Sequence, residues 1–133
     1  MADTFQFQLV SPERMLVDEQ VNEAQIPAAE GYIGVMPGHA PLMSELKPGG
    51  VLTYKGSGGE KTLAVYGGFV EVLPERTRVL ADAAEFSTEI NADKARQRLA
   101  EATKAMEKPA DDPAPALAEL AQAQAAVDAA SKH

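Results

Sequence analysis

Between Glu85 and Asn91 the chain changes character: glycine disappears, alanine becomes abundant, and the apolar residues pass from alternation to helical spacing. No one type of secondary structure satisfies both halves. The chain therefore reads as mainly β followed by α, with a flattened β-sandwich over residues 1–86 and an antiparallel two-helix hairpin over residues 87–133. At 133 residues it can hold one compact domain and an appendage, and not two sizeable cores.

The β half is a series of about eight to ten short segments separated by turn residues. From Thr4 to Val10, Phe5, Phe7 and Leu9 alternate with Gln6 and Gln8, which marks a strand with one buried face. Ser11, Pro12 and Glu13 end it. Arg14 to Ile26 continues with Met15, Val17, Val21 and Ile26 as inward positions, and Pro27 is expected to stop the run. Val51–Tyr54, Leu63–Tyr66, Phe69–Leu73 and Thr77–Leu80 follow. Their connections are a turn at Lys47–Gly50, a hairpin tip at Gly56–Gly59, a bend at Gly67 and Gly68, and a turn at Pro74–Arg76.

Within that series Glu30–Leu46 stands apart, with three glycines, two prolines and one of the chain's two histidines. Gly34, Pro37, Gly38 and Pro41 shape it, since glycine reaches backbone angles closed to other residues and proline fixes φ. Met36–His39 reads as a tight connection between two short strands, Tyr32–Met36 and Ala40–Leu46.

In the α half Asn91 is placed to cap a first helix running to about Lys108, with Asp93 in its first turn and Ala92, Ala95, Leu99, Ala102 and Met106 on one face. Pro109, Pro113 and Pro115 interrupt it. A second helix starts near Asp112 or Ala114 and carries a narrow stripe of Leu117, Leu120, Ala121, Gln124 and Val127. Faces this thin make a hairpin that depends on the sandwich or on a partner for its stability.

Composition removes several function classes. The chain has no cysteine, so thiolate metal sites and disulfides are excluded. A formal charge of −8 repels phosphate backbones and anionic headgroups, which argues against nucleic acid as a partner. No apolar run is long enough for a transmembrane helix, and Met1–Thr4 carries no signal-segment character, so direct membrane insertion is not expected.

Catalytic readings find little support. His39 with Glu30 is the one acid–base pair that a small hydrolase would use, and the rest of a catalytic constellation is missing. Gly56–Lys61 lacks the spacing of a phosphate loop, and the serines lack a nucleophile-elbow context. Asp111 and Asp112 read as solvated linker carboxylates. No cofactor and no metal are implied. A binding module remains, either part of a larger machine or a stand-alone sandwich adaptor that takes a partner through residues 30–42.

Ser11–Glu13, the stretch Glu30–Leu42, the run Gly67–Val72 and the terminal hairpin together resemble the epsilon subunit of bacterial F-type ATP synthases, the family that includes the mitochondrial delta and chloroplast epsilon subunits. The resemblance covers the whole chain. It implies a non-catalytic central-stalk subunit of a proton-translocating machine, peripheral on the cytoplasmic face of the bacterial inner membrane. The sandwich would pack on the gamma subunit and rest on the c-ring, passing torque from proton flow. The hairpin would lie folded on the sandwich or extend to the alpha and beta subunits of the catalytic head to inhibit ATP hydrolysis. By the same resemblance Glu30, Gly31 and Tyr32, with His39 nearby, meet the c-ring.

Three departures from the family pattern stand out. Tyr32 occupies a position that is often acidic or polar in the family. Relatives that bind ATP carry Ile or Leu, Asp, two variable residues, Arg and Ala where this chain has Ile90, Asn91, Ala92, Asp93, Lys94 and Ala95. Asn91 for Asp and Lys94 for Arg make Ile90, Asn91, Lys94 and Ala95 a degenerate ATP motif, since an ammonium does not reproduce a guanidinium fork. The third departure is charge. From Pro113 onward only Lys132 stands against Glu119 and Asp128, too little basic charge for a strong clamp on acidic catalytic subunits.

Overall fold

A computed structural model describes residues 3–131. Met1, Ala2, Lys132 and His133, which enter the readings above, lie outside the described residues. Nine strands come first: β1 (Phe5–Val10), β2 (Met15–Ala28), β3 (Gly31–Val35), β4 (Leu42–Glu45), β5 (Gly50–Gly56), β6 (Gly59–Val65), β7 (Gly68–Val72), β8 (Arg76–Ala81) and β9 (Ala84–Phe86). A 3-10 turn (Ser87–Glu89) leads into helices α1 (Ala92–Ala105) and α2 (Ala114–Ala130).

The strands run β4-β7-β8-β1-β2-β5-β6-β9, with β3 added to β2. β1 and β8 are parallel, and every other pair is antiparallel. The 14-residue β2 belongs to both layers: its first half pairs with β1, its second half with β3 and β5, and an irregularity between Val21 and Glu23 lies where it passes over. A bridge from Ala28 to Leu46 joins the far ends and closes the sandwich into a flattened barrel.

Phe5, Phe7, Leu9, Val21, Ile26, Leu52, Leu63 and Val79 fill the interior between the layers. The Phe7 and Tyr54 rings meet at 5.2 Å between centroids. Burial at about 25 cal/mol per Å² makes this cluster the main source of stability.

Three expectations change. Pro27 does not stop β2, because its carbonyl accepts Lys47 N–H at 2.9 Å on the flank away from β3. β5 pairs no further than Gln25 on that flank, so the missing proline donor breaks no ladder bond. Met15 is exposed, since the register slips between Leu9 and Val10 and leaves it opposite Val10 on the outer face. In α2 the buried residues are Ala123, Ala125, Ala126, Ala129 and Ala130, while Leu117 and Gln124 are exposed. The helix lies too close to its neighbours for leucine, so the smallest side chains form its contact face.

α1 is capped as its sequence implies, with Lys94 N–H donating to Asn91 Oδ1 at 3.0 Å, but it ends at Ala105, short of Lys108. Ala114 N–H donates to Asp112 Oδ1 at the start of α2. The hairpin is folded down on β5 and β6, where Ala95, Ala125, Ala126 and Ala129 pack on Ala64 and Tyr66.

Candidate functional site

The stretch Glu30–Leu46 does not form a hairpin of its own. β3 pairs with β2 and β4 pairs with β7, so residues 36–41 carry the chain from one layer to the other. Ala29 and Glu30 form the two-residue turn between β2 and β3, closed by the Ala28 and Gly31 pair. Gly31 takes φ +141°, which favours glycine, and Ala29 N–H reaches Glu45 O at 2.8 Å. Between β3 and β4 lies a groove of about 490 Å³ flanked by Gly31, Tyr32, Leu42, Met43 and the carboxylates of Glu30 and Glu45.

His39 is not beside that turn. It lies past the other end of β3, where His39 N–H bonds Met36 O and Gly38 N–H reaches Pro74 O at 2.9 Å. Its ring Nδ1 sits 2.6 Å from Ala40 O. The five residues of β3 hold it roughly 13 Å or more from Gly31 along the strand. Glu30 and His39 therefore do not form an acid–base pair. Gly38, at φ +84°, turns this corner, with Pro37 and Pro41 on either side. Gly34 lies inside β3 rather than in a loop, and its bare Cα leaves room for the Gln25 side chain.

Tyr32 is half exposed and is held at both ends. Its hydroxyl accepts Val51 N–H at 3.0 Å, and Lys47 Nζ lies 5.0 Å from the ring centroid.

A second surface lies on the outer face of β7, β8, β1 and β2. Phe69, Leu80, Val10 and Met15 are successive partners across those four strands and form a continuous apolar row. Phe69, Leu80 and Met15 are each about half exposed, and Met43 nearby is 71% exposed. A solvated face would carry polar residues at these positions, so the row has the composition of a protein contact. Its signal is present in the sequence: Val70 and Val72 point inward, which puts Phe69 in the phase otherwise taken by Glu71.

Ile90, Asn91, Lys94 and Ala95 do come together, lining a cleft of about 260 Å³ with Glu85, Glu89, Arg98 and Ala126. Much of its polar capacity is already used. Arg98 grips Glu119 Oε1 at 2.5 Å and Gln122 Oε1 at 2.9 Å, with its guanidinium 5.9 Å from the Tyr66 ring centroid. Tyr66 donates to Glu85 Oε2 at 2.6 Å, and burial with that carboxylate pushes the phenol above its ordinary value. Arg98 holds the Glu119 carboxyl below its usual range. Glu89, held low by Arg14 at 2.8 Å and by Phe86 N–H, ties the 3-10 turn to the sandwich. Such a cleft offers two carboxylates where a nucleotide would present phosphates.

Among the described residues no group of three or more His, Asp or Glu is placed to hold a metal ion, and no helix is long and apolar enough to cross a membrane.

Solved structures reproduce the fold. A chain in the mitochondrial ATP synthase assembly of OSCP, F1 and c-ring from Euglena gracilis matches with a TM-score of 0.85 at 23% identity, over 98% of this chain and 83% of that one. A chain in the central stalk and c-ring of the Tetrahymena thermophila mitochondrial ATP synthase matches with a TM-score of 0.55 at 16% identity, over 68% of this chain and 72% of that one. At such identities the likeness speaks to fold alone. Sequence relatives carry more. An ATP synthase epsilon chain of Solibacter usitatus is 46% identical over 134 residues, 99% of each chain. One from Rhizobium etli strain CIAT 652 is 46% identical over 107 residues, 80% of this chain and 79% of the relative. The family model for the beta-sandwich domain of the ATP synthase delta/epsilon chain matches residues 4–87, and with these relatives it establishes that the chain belongs to the ATP synthase delta/epsilon family.

Proposed function

We propose that this chain, a non-catalytic rotor subunit of an F-type ATP synthase central stalk, meets its neighbours through the two surfaces described above. The outer-face row of Phe69, Leu80, Val10 and Met15 packs on gamma, and the turn of Glu30, Gly31 and Tyr32 rests on the c-ring. The observation that carries this reading is the row itself, an apolar strip across four strands of a sandwich whose own core is already closed. A body with a large apolar interior and short strand connections deforms little under load, which is what torque transfer between two contacts requires.

His39, beyond the far end of β3, belongs to the contact only if the c-ring surface spans that distance; its own hydrogen bonds suit a corner residue. Residues 1–86 and 87–133 act as two units, the first carrying torque and the second lying folded or reaching toward alpha and beta. In a bacterial cell the assembly sits on the cytoplasmic face of the inner membrane, with this chain peripheral and the proton as coupling ion. The cleft at Ile90, Asn91, Lys94 and Ala95 does not hold ATP tightly.

Because the chain lacks cysteine, single introduced cysteines give an unambiguous test. In mildly solubilised membranes, Phe69→Cys is expected to crosslink to gamma and Glu30→Cys to the c-ring, and affinity purification of the chain should recover gamma, the catalytic subunits and c-ring together. Recovery alone, or with an unrelated soluble protein, would replace the rotor reading by that of a sandwich adaptor working through residues 30–42.

A further inference from the structure

Residues 47–51 are pressed between the β2–β3 hairpin on one side and α2 on the other. On the first side, a Cβ at Gly50 would lie 2.4 Å from Pro27 Cβ and 3.5 Å from the Tyr32 hydroxyl. That hydroxyl accepts Val51 N–H, and the Tyr32 ring lies under Lys47 Nζ. On the second side, a Cβ at Gly49 would lie 2.3 Å from Ala121 O and 2.6 Å from Gln122 N, so the α2 backbone rests directly on this glycine. Val51 itself packs into the cluster of Ala64, Tyr66, Ala125, Ala126 and Ala129 that holds the hairpin down. Tyr32, Val51, Asp128 and Ser131 also border one cleft of about 460 Å³ at the end of α2.

We propose that Tyr32 is a positioning residue that ties the Glu30–Gly31 turn to the seat of the helical hairpin, so that loading the turn changes the hairpin's grip on the sandwich. The path is short and physical. Tyr32 follows the turn directly, its hydroxyl fixes the Val51 backbone, and the segment so fixed carries Gly49 under α2. A shift of the Tyr32 ring of a few tenths of an ångström reaches the seat, because a close-packed contact without a side chain at Gly49 has no slack to absorb it. An acidic side chain at position 32 could accept a hydrogen bond but is too short to reach Val51 N–H from the same backbone position. The inference rests on the reading of the turn as a contact surface, but its test uses the full chain in isolation, so it can fail while the rotor assignment stands.

The test is amide hydrogen exchange on the full chain and three variants: Tyr32→Phe, Gly49→Ala, and the two combined. Tyr32→Phe keeps the ring and the fold while removing the one hydrogen bond. It is expected to speed exchange of the α2 amides by about fivefold and to leave the β1 and β8 amides unchanged. Gly49→Ala should do the same more strongly, by displacing α2. The double variant should match Gly49→Ala alone, since a hairpin already off its seat gains nothing from losing the tie. Unchanged α2 exchange in Tyr32→Phe overturns the proposal, as does acceleration spread equally over β1 and β8, which would make the hydroxyl a general stabiliser of the sandwich. Additive effects in the double variant, or no response to Gly49→Ala, overturn it as well.

Discussion

The interior of the sandwich is filled by Phe5, Phe7, Leu9, Ile26, Leu52 and Leu63, whereas the joint between sandwich and hairpin is made of Ala64, Ala95, Ala125, Ala126 and Ala129 around Tyr66. Each large core side chain removes an area worth roughly 1.5–3 kcal/mol from water. An alanine removes far less and owes its contribution to the closeness of the backbones. The polar contacts beside the joint lie within each side: Arg98 to Glu119 and Gln122 between the two helices, and Tyr66 to Glu85 within the sandwich. The Arg98 guanidinium over the Tyr66 ring spans the joint. Bulk makes the first region permanent. Small side chains that bury little area make the second one separable.

The largest effect expected from this contrast is Phe7→Ala, which should cost about 3–5 kcal/mol in urea denaturation and take the hairpin down with the sandwich. A loss under 1 kcal/mol would mean that the layers are held by something other than this cluster. Ala129→Leu puts three more heavy atoms where α2 meets its neighbours, at a fully buried position. It should weaken docking by about 1–3 kcal/mol, seen as faster proteolysis between Lys108 and Pro113, while the denaturation midpoint of the sandwich holds. A fall in that midpoint would show the two regions to be one cooperative unit.

Smaller still is the response to acid. Glu119 is held low by Arg98, and Glu89 is held low by Arg14, so each contributes stability above its unfolded value and loses it as pH falls through the lower folded value. Hairpin protection should therefore be flat from neutral pH down to the ordinary carboxylate range and decline below it. For the Arg98 pair the loss is under about 1 kcal/mol, because both partners are substantially exposed. Glu119→Gln should remove the share of the decline that comes from the Arg98 pair and leave that of Glu89. If it does not, the clamp is not what acid releases.

How far the sequence anticipates each region follows the same contrast. Alternation of Phe5, Phe7 and Leu9 identifies β1 because bulky side chains on a two-residue period have one explanation. Alanine gives no such period. A reading that weights residues by hydrophobicity picks Leu117 and Leu120 for the contact face of α2, and the structure buries Ala123, Ala126 and Ala130 instead. Distance between helices decides that face, and distance is a tertiary quantity. The site shows the same split. Glycine and proline mark Glu30–Leu46 as a built segment, but that β3 joins β2 while β4 joins β7 is a matter of non-local pairing, and this pairing sends Glu30 and His39 to different ends. The short β9 and the 3-10 turn carry too few residues to give a periodic signal.

The smallest expected effects concern the hairpin's regulatory chemistry. Calorimetry of the full chain with ATP should show no binding in the submillimolar range. Asn91 spends its side-chain oxygen on the α1 cap, Arg98 is engaged by Glu119, and Glu85 and Glu89 present like charge to phosphates. Lys94 supplies a point charge where a planar fork would grip. Submillimolar affinity would mean that the cleft reorganises to free Arg98. Removal of residues 110–133 from the assembled enzyme should likewise change ATP hydrolysis little. α2 has no acidic or basic residue in its first turn and no basic residue in its last, so the described part of the arm carries little positive charge to set against an acidic catalytic surface. A several-fold rise in hydrolysis on truncation would show that the arm inhibits through shape and apolar contact, and the alanine face that seats it on the sandwich would then be the surface it offers to the head.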